Sequence, residues 1–572
     1  MSDSTARQLY LGGADNHDCG ACLVEAGLGE DFTILGYLSE ERLSRVKQQG
    51  GFPSRAVAWL AGRLEDRAPA SVCCCWASTH TPSAFFRVQR ERHRRAREGA
   101  SEFSSLFPLY NSYLHAARLA PLRAIEAAFS RRALGRELTA AGFPTERVEL
   151  CDHHLAHAAG AYYTSGFEHA LVVSMDAVGD GLDCAVYLGR GRELEPLATH
   201  GGREAIGCFY ARVTEVLGFR PNRHEGKVTG LAAHGRPQAE LQQLFGRLFS
   251  LEPGRIRLRN DERALRRAAG RFSREDLAHN AQRHLEQEVC RFCRHFLAET
   301  GASCLALAGG LFANVLLNQR LYALPGVERI HVFPHMGDGG LALGAVLARL
   351  RPRPRTLTHL YHGPEYSEEE CGAALERAGL RYRRERDVEA ESARLLAEGK
   401  TVGRFSGRLE WGPRALGNRS VLVHAGDPTV QDWLNRKLRR TEFMPFAPLT
   451  LAEEARDCYR DIDGAWSAAR FMTITLDCEP ALARSCPAVV YVDGTARPQV
   501  IEPEANPALH RLLRLYHERT GIPTVINTSF NMHEEPIVCA PADAIAAFRA
   551  AGLDALALGP FLVELDNNPI RR

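Results

Sequence analysis

The sequence predicts an α/β protein whose short buried strands end at acidic or glycine-rich turns. Residues 170–175 form an apolar run of strand length that leads to Asp176. Residues 304–308 form a second such run, which ends in Gly309-Gly310. Strands that are apolar throughout are buried on both faces, as in sheets covered by helices, so these runs predict the α/β class.

Two histidines in the stretch 152–158 predict a metal site. His153 and His157 are four residues apart, which places their imidazoles on one face of a helix, where both can bind one ion. Asp176 follows the next predicted strand, and Asp338 follows a later one, so both carboxylates are candidate ligands. Such a histidine pair is more often a packing or surface feature, but the Asp–Gly loop after Asp176 favours a site. Two imidazoles and two carboxylates suit iron, zinc or manganese.

The first forty residues predict a meander of three strands, 8–13, 20–24 and 32–37, with a polar loop between the first two. This loop, together with the later Asp–Gly loop, is the pattern of actin-like ATPases and sugar kinases, whose loops clasp phosphates from two sides. Lys227 lies at a predicted helix start, where an ammonium group and backbone N–H groups can bind an anion, although most lysines are solvated. The residues predicted to contact a nucleotide are Gly179, Asp180, Gly181, Lys227, Gly309, Gly310 and Asn314.

Composition excludes several classes of protein. The 572 residues include 71 Lys and Arg against 69 Asp and Glu, and this balance argues against a general nucleic-acid or membrane-surface binder. The most basic segment, 87–97, is interpreted as a solvated insertion helix, with an RNA contact as the alternative. No apolar run approaches the ~20 residues of a membrane helix, and no signal peptide is evident, so we expect a cytoplasmic protein. Without a secretory context, the 16 cysteines are interpreted as buried structural residues.

A Pro-rich joint at 351–355 predicts a boundary between two domains, 1–352 and 353–572. The second domain places four arginines among glycines in 401–420, and residues 524–531 form a strand that ends in hydroxyl and amide side chains. Arginines near glycine-rich turns suit bidentate phosphate binding. This part of the chain is therefore a candidate phosphate site.

Taken in order along nearly the whole chain, these motifs resemble the O-carbamoyltransferase family, which includes the tobramycin and cephamycin enzymes and acts on hydroxyls of antibiotics and nodulation factors. Each motif alone is weak, but their order is specific. The stretches that carry the resemblance are 16–18, 41–47, 152–158, 176–181, 223–227, 309–310, 337–338, 412–420, 445–448 and 527–531.

The resemblance implies an actin-like (ASKHA) ATPase fold for the N-terminal domain, similar to the tRNA threonylcarbamoyl-transferring ATPase, and a YrdC-like α/β C-terminal domain. It implies that the YrdC-like part makes carbamoyl-adenylate from carbamoyl phosphate and ATP, and that the actin-like part transfers the carbamoyl group to a hydroxyl and releases AMP. It also implies an Fe(II) site at His153, His157, Asp176 and Asp338, with Mg²⁺ accompanying ATP. The residues it implies for carbamoyl phosphate, together with nearby basic residues, are Arg414, Arg419, Lys437, Arg439, Arg440 and Ser529.

One departure affects the carbamoyl-phosphate residues. Many relatives carry an arginine just before a Pro-Phe-Ala-Pro motif, where this chain has Met444. Lys437, Arg439 or Arg440 is expected to supply the charge instead. Transfer also needs a base near neutral pKa, for which His17 and His154 are candidates, and Asp18 beside His17 is counted with them.

The expected partners are carbamoyl phosphate, ATP and a small-molecule hydroxyl acceptor, with no nucleic acid and no membrane; a homodimer is left open. One alternative is a carbamoyltransferase that acts on a macromolecule, either tRNA or a maturation protein. Another is a non-catalytic actin-like ATPase, which would not explain the histidine pair or the C-terminal arginines. Acceptor specificity is expected from loops such as the unmatched region 79–136.

Overall fold

The computed structural model describes residues 8–15, 17–26, 31–64, 72–78, 112, 115–119, 121–143, 147–201, 206–252, 255–441 and 443–568. The basic segment 87–97 lies outside them, as does much of the region 79–136. The chain divides into two compact units. Unit 1 comprises residues up to Glu40 and Gln48–Leu357, and unit 2 comprises Glu41–Lys47 and the residues from Thr358 onward.

Unit 1 contains two five-stranded mixed sheets and a two-stranded ribbon. Its strands are β1 (Gln8–Ala14), β2 (Gly20–Ala26), β3 (Phe32–Ser39), β4 (Val72–Ala77), β5 (Arg147–Cys151), β6 (His169–Gly179), β7 (Leu182–Arg190), β8 (Glu193–His200), β9 (Phe249–Glu252), β10 (Arg255–Leu258), β11 (Cys304–Ala308) and β12 (Arg329–Val332). Its helices are α1 (Glu40–Ser44), α2 (Ser54–Ala61), α3 (Leu122–Ala140), α4 (His153–Tyr163), α5 (Ile206–Val216), α6 (Glu225–Ala232), α7 (Ala239–Leu248), α8 (Glu262–Ala269), α9 (Arg274–Thr300), α10 (Val315–Tyr322) and α11 (Leu341–Leu350). Only the first residue of α1 belongs to unit 1, and the rest of that helix belongs to unit 2.

The two sheets of unit 1 share one topology. The first has the order β3-β2-β1-β4-β5, and the second has the order β8-β7-β6-β11-β12. In each, three strands form an antiparallel meander and two further strands add in parallel. Helices α4 and α11 pack against each other, and Gly344 permits this because a Cβ there would lie 2.0 Å from the carbonyl oxygen of Ala156.

Unit 2 is built on an eight-stranded mixed sheet with the order β13-β22-β21-β14-β15-β20-β16-β19, plus the ribbon β17-β18. Its strands are β13 (Arg383–Arg384), β14 (Val402–Phe405), β15 (Arg419–His424), β16 (Ala447–Leu451), β17 (Leu476–Asp477), β18 (Thr495–Ala496), β19 (Gln499–Ile501), β20 (Thr524–Ser529), β21 (Ala555–Leu558) and β22 (Phe561–Glu564). Its helices are α12 (Glu368–Arg377), α13 (Val388–Ala397), α14 (Val430–Lys437), α15 (Ala455–Cys458), α16 (Ile462–Ala469), α17 (Pro480–Ser485), α18 (Pro507–Thr520) and α19 (Pro541–Ala551).

The α/β class with mixed sheets is confirmed. Eleven of the sixteen cysteines are buried and five are half-buried, in keeping with structural residues. Helix α9 is the longest at 27 residues, but neither it nor another helix in the described part of the chain combines the length and apolar character of a membrane span.

One local prediction is wrong. Strand β6 runs to Gly179, so Asp176 lies inside the strand and not after it. The register shifts between Met175, which pairs with Cys184, and Gly179, which pairs with Leu182. The extra residues form a bulge, and a bulge re-aims the side chains it carries.

Candidate functional site

The start of helix α4 is fixed by two aspartates. Asp152 is the N-cap, and its Oδ1 accepts the backbone N–H of His154 at 3.1 Å and of Leu155 at 3.3 Å. The Asp180 Oδ2 accepts the backbone N–H of His153 at 3.0 Å. The first N–H groups of the helix, which have no partner within it, are thereby satisfied.

Helix α4 presents two imidazoles to two carboxylates, as the sequence predicts. The Nε2 atoms of His153 and His157 lie 3.4 Å and 3.2 Å from Asp176 Oδ2. The same two atoms lie 3.6 Å and 3.7 Å from Asp338 Oδ1. All four residues are buried, and one ligand atom from each lies within 4.8 Å of the others.

The cluster carries a strong negative field. Burial opposes ionisation of Asp176, but hydrogen bonds from His153 and His157 outweigh it and hold the pKa of the carboxyl well below its usual range. Burial likewise opposes ionisation of Asp338, and His17 and His153 help to lower the pKa of that carboxyl. Burial disfavours protonation of His153, yet the Asp338 and Asp176 carboxylates raise the pKa of its imidazole to about 9. Because a ligating imidazole must be neutral, metal binding here would displace the proton from His153.

The donor set fits a divalent metal ion. Within the described residues, the buried Asp338 Oδ1 and His157 Nδ1 have no hydrogen-bond partner, although Asp338 Oδ1 faces both histidine Nε2 atoms. Ligands bound at about 2.0–2.1 Å in a tetrahedral site lie ~3.3 Å apart, close to the 3.2–3.7 Å between the histidine nitrogens and the carboxylate oxygens. Two imidazoles and two carboxylates are compatible with iron, zinc or manganese, so the set does not identify the metal.

Three residues predicted to be catalytic lie beside this cluster in different environments. His17 Nε2 is 3.6 Å from Asp338 Oδ2, and its side chain is 41% exposed. Asp18 adopts a positive φ of 66°, and its Oδ2 lies 4.0 Å from His335 Nε2. His154 is fully buried with its Nδ1 2.8 Å from Ser174 Oγ, and burial together with the neighbouring histidines lowers its pKa to about 3.

The predicted nucleotide loop at 179–181 is a tight hairpin turn. Strands β6 and β7 are joined by Asp180 and Gly181, whose φ values of 50° and 77° are those of a type I′ turn. The Asp180 carboxylate accepts hydrogen bonds from Ser78 Oγ at 2.8 Å and from the His153 backbone. Gly179 packs against the His153 ring, since a Cβ there would lie 2.0 Å from it.

The other predicted nucleotide residues lie at element ends. Lys227 is the third residue of α6 and is buried. Gly309 has a φ of 104° and lies against Met175, and a Cβ on Gly310 would approach Asp176 Oδ1 to 3.0 Å. Asn314 caps α10 through Leu317 N–H and exchanges side-chain hydrogen bonds with Gln282.

In unit 2, Arg440 and Ser529 come together. Arg440 Nη2 donates to Ser529 Oγ at 3.0 Å and to Asn531 Oδ1 at 2.9 Å, and Nη1 donates to Thr528 Oγ1 at 2.8 Å. All these acceptors are neutral. The guanidinium therefore lies against the hydroxyl and amide groups at the end of β20.

The other predicted carbamoyl-phosphate residues have different surroundings. Lys437 Nζ donates to the Gly552 carbonyl at 2.6 Å, Arg439 is exposed, and Arg414 is half-buried. Arg419 is fully buried, stacks on Phe405 at 3.6 Å and donates to four backbone carbonyls. Those carbonyls belong to Ser406, Gly407, Asn418 and Pro364.

Sequence reasoning missed the residues that set the geometry of the site. Asp152 caps helix α4, and Ser78 donates a hydrogen bond to Asp180 in the β6–β7 turn. Arg118 donates to Asp152 Oδ2 at 2.9 Å. The N-cap role of Asp152 has a sequence signal, since aspartate before a helical run is a common cap. The role of Arg118 has no such sequence signal, because tertiary structure alone brings Arg118 to the site.

Comparison with known proteins identifies the family. A family model described as the carbamoyltransferase N-terminus matches residues 123–347, and one described as the carbamoyltransferase C-terminus matches residues 393–565. An uncharacterised protein of Methanocaldococcus jannaschii is 32% identical over 454 residues, 73% of this chain and 74% of the relative. Nodulation protein NolNO of Sinorhizobium fredii is 32% identical over 573 residues, 96% of this chain and 79% of the relative.

Among solved structures, full-length HypF in its phosphate- and nucleotide-bound form covers 60% of this chain and 55% of its own, at 13% identity and a TM-score of 0.37. That similarity is too low to support a conclusion. The two family models, together with the match to NolNO over 96% of this chain, are sufficient to identify the family. The chain belongs to the carbamoyltransferase family.

Proposed function

We propose that this protein is an ATP-dependent O-carbamoyltransferase that acts on a small-molecule hydroxyl. It first hydrolyses carbamoyl phosphate to carbamate and phosphate, and a carbamate oxygen then displaces pyrophosphate from ATP to give carbamoyl-adenylate. The carbamoyl group is finally transferred to the hydroxyl with release of AMP. The observation that carries the proposal is the buried cluster of two histidines and two aspartates beside the exposed His17, in a chain of the carbamoyltransferase family.

We assign the transfer step to unit 1, as an actin-like fold, and adenylate formation to unit 2, as a YrdC-like fold. The repeated sheet topology of unit 1 supports the first assignment, because two similar halves are expected of an actin-like ATPase. The second rests on the sequence resemblance. Carbamoyl-adenylate made by one unit is used by the other.

Transfer requires a polarised carbamoyl oxygen and an acceptor hydroxyl that loses its proton. A divalent metal held by His153, His157, Asp176 and Asp338, which we take to be iron, would supply the polarisation when bound. His17 is the proposed base because its imidazole is exposed and lies 3.6 Å from Asp338 Oδ2. His154 is too deeply buried to meet an acceptor, so we assign it a supporting role through Ser174.

Adenylate formation requires fixed positive charge against phosphate groups. Arg440 is the proposed carbamoyl-phosphate ligand, because it already lies against Ser529 at the end of β20. Charged hydrogen bonds are about twice as strong as neutral ones, so a phosphate oxygen would bind this guanidinium more strongly than the hydroxyl and amide oxygens that it contacts. Arg440 thus replaces the arginine that relatives carry at the position of Met444.

During transfer, the nucleotide part of carbamoyl-adenylate is proposed to lie near Lys227 and the Gly309–Gly310 turn of unit 1, whereas Mg²⁺ accompanies ATP in the first step. Lys227 is buried in the first turn of α6, where helix N–H groups also favour an anion. The near-neutral charge of the chain supports a small-molecule acceptor over a nucleic acid.

Separating the two half-reactions tests the proposal. Wild-type protein should exchange labelled pyrophosphate into ATP only when carbamoyl phosphate is present. Arg440→Ala should lose this exchange but still transfer the carbamoyl group from synthetic carbamoyl-adenylate to an acceptor found by mass-spectrometric screening. His157→Ala should keep the exchange and lose the transfer.

Arg439→Ala is the matched control, since it removes an exposed positive charge one residue earlier and should retain both activities. Arg419→Ala is less informative because Arg419 is fully buried among carbonyls and its loss would disturb the fold. If Arg440→Ala and His157→Ala each lose both activities while folded, the assignment of one half-reaction to each unit is wrong. If wild-type protein shows no carbamoyl-phosphate-dependent exchange, the proposed first step is wrong.

A further inference from the structure

Arg118 lies close to the candidate metal centre but outside the two stretches that the family models match. It precedes residue 123, where the N-terminal family match begins. Its side chain is only 22% exposed, so it is not a simple solvated cation.

A single guanidinium nitrogen of Arg118 joins two parts of the site. Nη1 donates to Asp152 Oδ2 at 2.9 Å and to the Asp180 backbone carbonyl at 2.9 Å. From the same short segment, His115 Nδ1 lies 3.2 Å from the Gly181 carbonyl oxygen. The segment 115–118 is therefore attached to the β6–β7 turn at two places and to the α4 cap at one.

Both residues that Arg118 contacts determine where helix α4 begins. Asp152 caps the helix through the backbone N–H groups of His154 and Leu155, and the Asp180 carboxylate accepts the N–H of His153. His153 is the first residue of the helix and also a member of the metal-binding cluster. A shift of this first turn would move His153 Nε2 relative to Asp176 and Asp338.

The charge of Arg118 also balances Asp152. The Asp152 side chain is 14% exposed, and its Oδ1 is engaged in capping while Oδ2 meets the guanidinium. A largely buried carboxylate needs such a partner to remain in place. Without Arg118, the Asp152 side chain would turn toward solvent and would no longer accept the backbone N–H groups of His154 and Leu155.

We propose that Arg118 is a positioning residue of the metal centre, which sets the first turn of α4 and thereby the direction of His153. The inference rests on the proposed function only in taking this centre as the site of carbamoyl transfer. It assigns part of the metal site to a segment outside the family-model matches.

Binding of Co²⁺ to metal-free protein tests this without the reaction. Wild type, Arg118→Ala, Arg118→Gln and Arg118→Lys are titrated with Co²⁺ alone, with affinity and the visible absorption spectrum as readouts. Loss of an outer partner of a ligand typically costs about 10- to 100-fold in metal affinity. We expect Arg118→Ala and Arg118→Gln to lose that much and to change the spectrum, and Arg118→Lys, which keeps the charge, to recover part of the affinity.

Two further variants separate positioning from general stability. Arg147→Ala removes a more exposed ion pair on β5, where Arg147 Nε lies 3.0 Å from Glu149 Oε1 and the Arg147 side chain is 71% exposed, and should leave the Co²⁺ spectrum unchanged. Asp152→Asn should weaken Co²⁺ binding by itself, and adding Arg118→Ala to it should cost little more, since coupled residues are not additive.

Wild-type Co²⁺ affinity and spectrum in folded Arg118→Gln would overturn the inference, as would an equal effect of Arg147→Ala. Pyrophosphate exchange is measured in parallel and should be retained in every Arg118 variant. Absence of that exchange in wild type would contradict the proposed function while leaving the Co²⁺ result on Arg118 valid.

Discussion

Replacing Asp176 with asparagine should weaken metal binding without collapsing the fold. Asp176 Oδ2 lies within 3.4 Å of both histidine Nε2 atoms, and Oδ1 accepts the N–H of Ala177 at 2.6 Å. Asparagine has the same shape and can keep the hydrogen bond to Ala177, but its amide lacks the charge that binds a cation. The change therefore removes one of four ligands and little else.

The expected magnitude follows from the number of ligands. Structural zinc sites with four ligands contribute about 10–16 kcal/mol, which is roughly 2.5–4 kcal/mol for each ligand. At 1.4 kcal/mol for a factor of ten, Asp176→Asn should weaken binding about a hundred- to a thousand-fold. Anaerobic titration with Fe²⁺ or Co²⁺, together with metal analysis of the purified protein, measures this directly.

Asp183→Asn is the matched control. Asp183 is a buried carboxyl on the partner strand β7, opposite the bulge, and it accepts the backbone N–H of Ile206 at 3.2 Å. It does not belong to the metal-binding cluster, so this variant should keep wild-type metal affinity. Full metal occupancy and wild-type affinity in Asp176→Asn would refute the assignment of the cluster as a metal site.

Three further predictions concern other residues of unit 1. Lys227→Ala should weaken nucleotide binding by about ten- to a hundred-fold, the value of one charge-assisted phosphate contact, and unchanged affinity by calorimetry would contradict it. His17→Asn should lower the transfer rate by about 10²–10⁴ with metal content and pyrophosphate exchange retained; a wild-type rate would exclude it as the base. Burial raises the pKa of Asp183 to about 7 in the folded protein, whereas its ordinary pKa is near 4. As pH rises from about 4 to about 7, the carboxyl ionises more readily in the unfolded chain than in the folded protein, so the free energy of unfolding falls. Asp183→Asn should remove this loss, up to about 4 kcal/mol at pH 8 by chemical denaturation, and an unchanged pH dependence would contradict the origin of the effect.

Three of the four residues of the candidate metal site could be predicted from patterns that are local in the sequence. His153 and His157 share a helix face through their spacing, and Asp176 follows an apolar run whose direction is easily recognised. The bulge in β6 could not be predicted, because it arises from pairing with β7 and not from the sequence of β6. Arg118 was missed for a similar reason, since it reaches Asp152 and Asp180 only through tertiary structure.

The basic residues near the end of α14 show a second limit of the sequence. Lys437, Arg439 and Arg440 are close in sequence and were expected to supply charge to one site. Helix α14 ends at Lys437, and Arg439 adopts a positive φ of 55°, which turns the chain. Lys437 consequently donates to Gly552, whereas Arg440 donates to Ser529. A turn conformation at one residue decides which cation meets the hydroxyl groups, and residue type does not reveal it.

The nucleotide product of the wild-type reaction tests the central claim most directly. Purified protein is incubated with ATP, carbamoyl phosphate and a panel of hydroxylated small molecules, and the nucleotides are separated by chromatography. The account predicts AMP and pyrophosphate, formed only when carbamoyl phosphate is present, together with a carbamoylated acceptor detected by mass spectrometry. Formation of ADP and phosphate, or AMP formation that does not depend on carbamoyl phosphate, would contradict it.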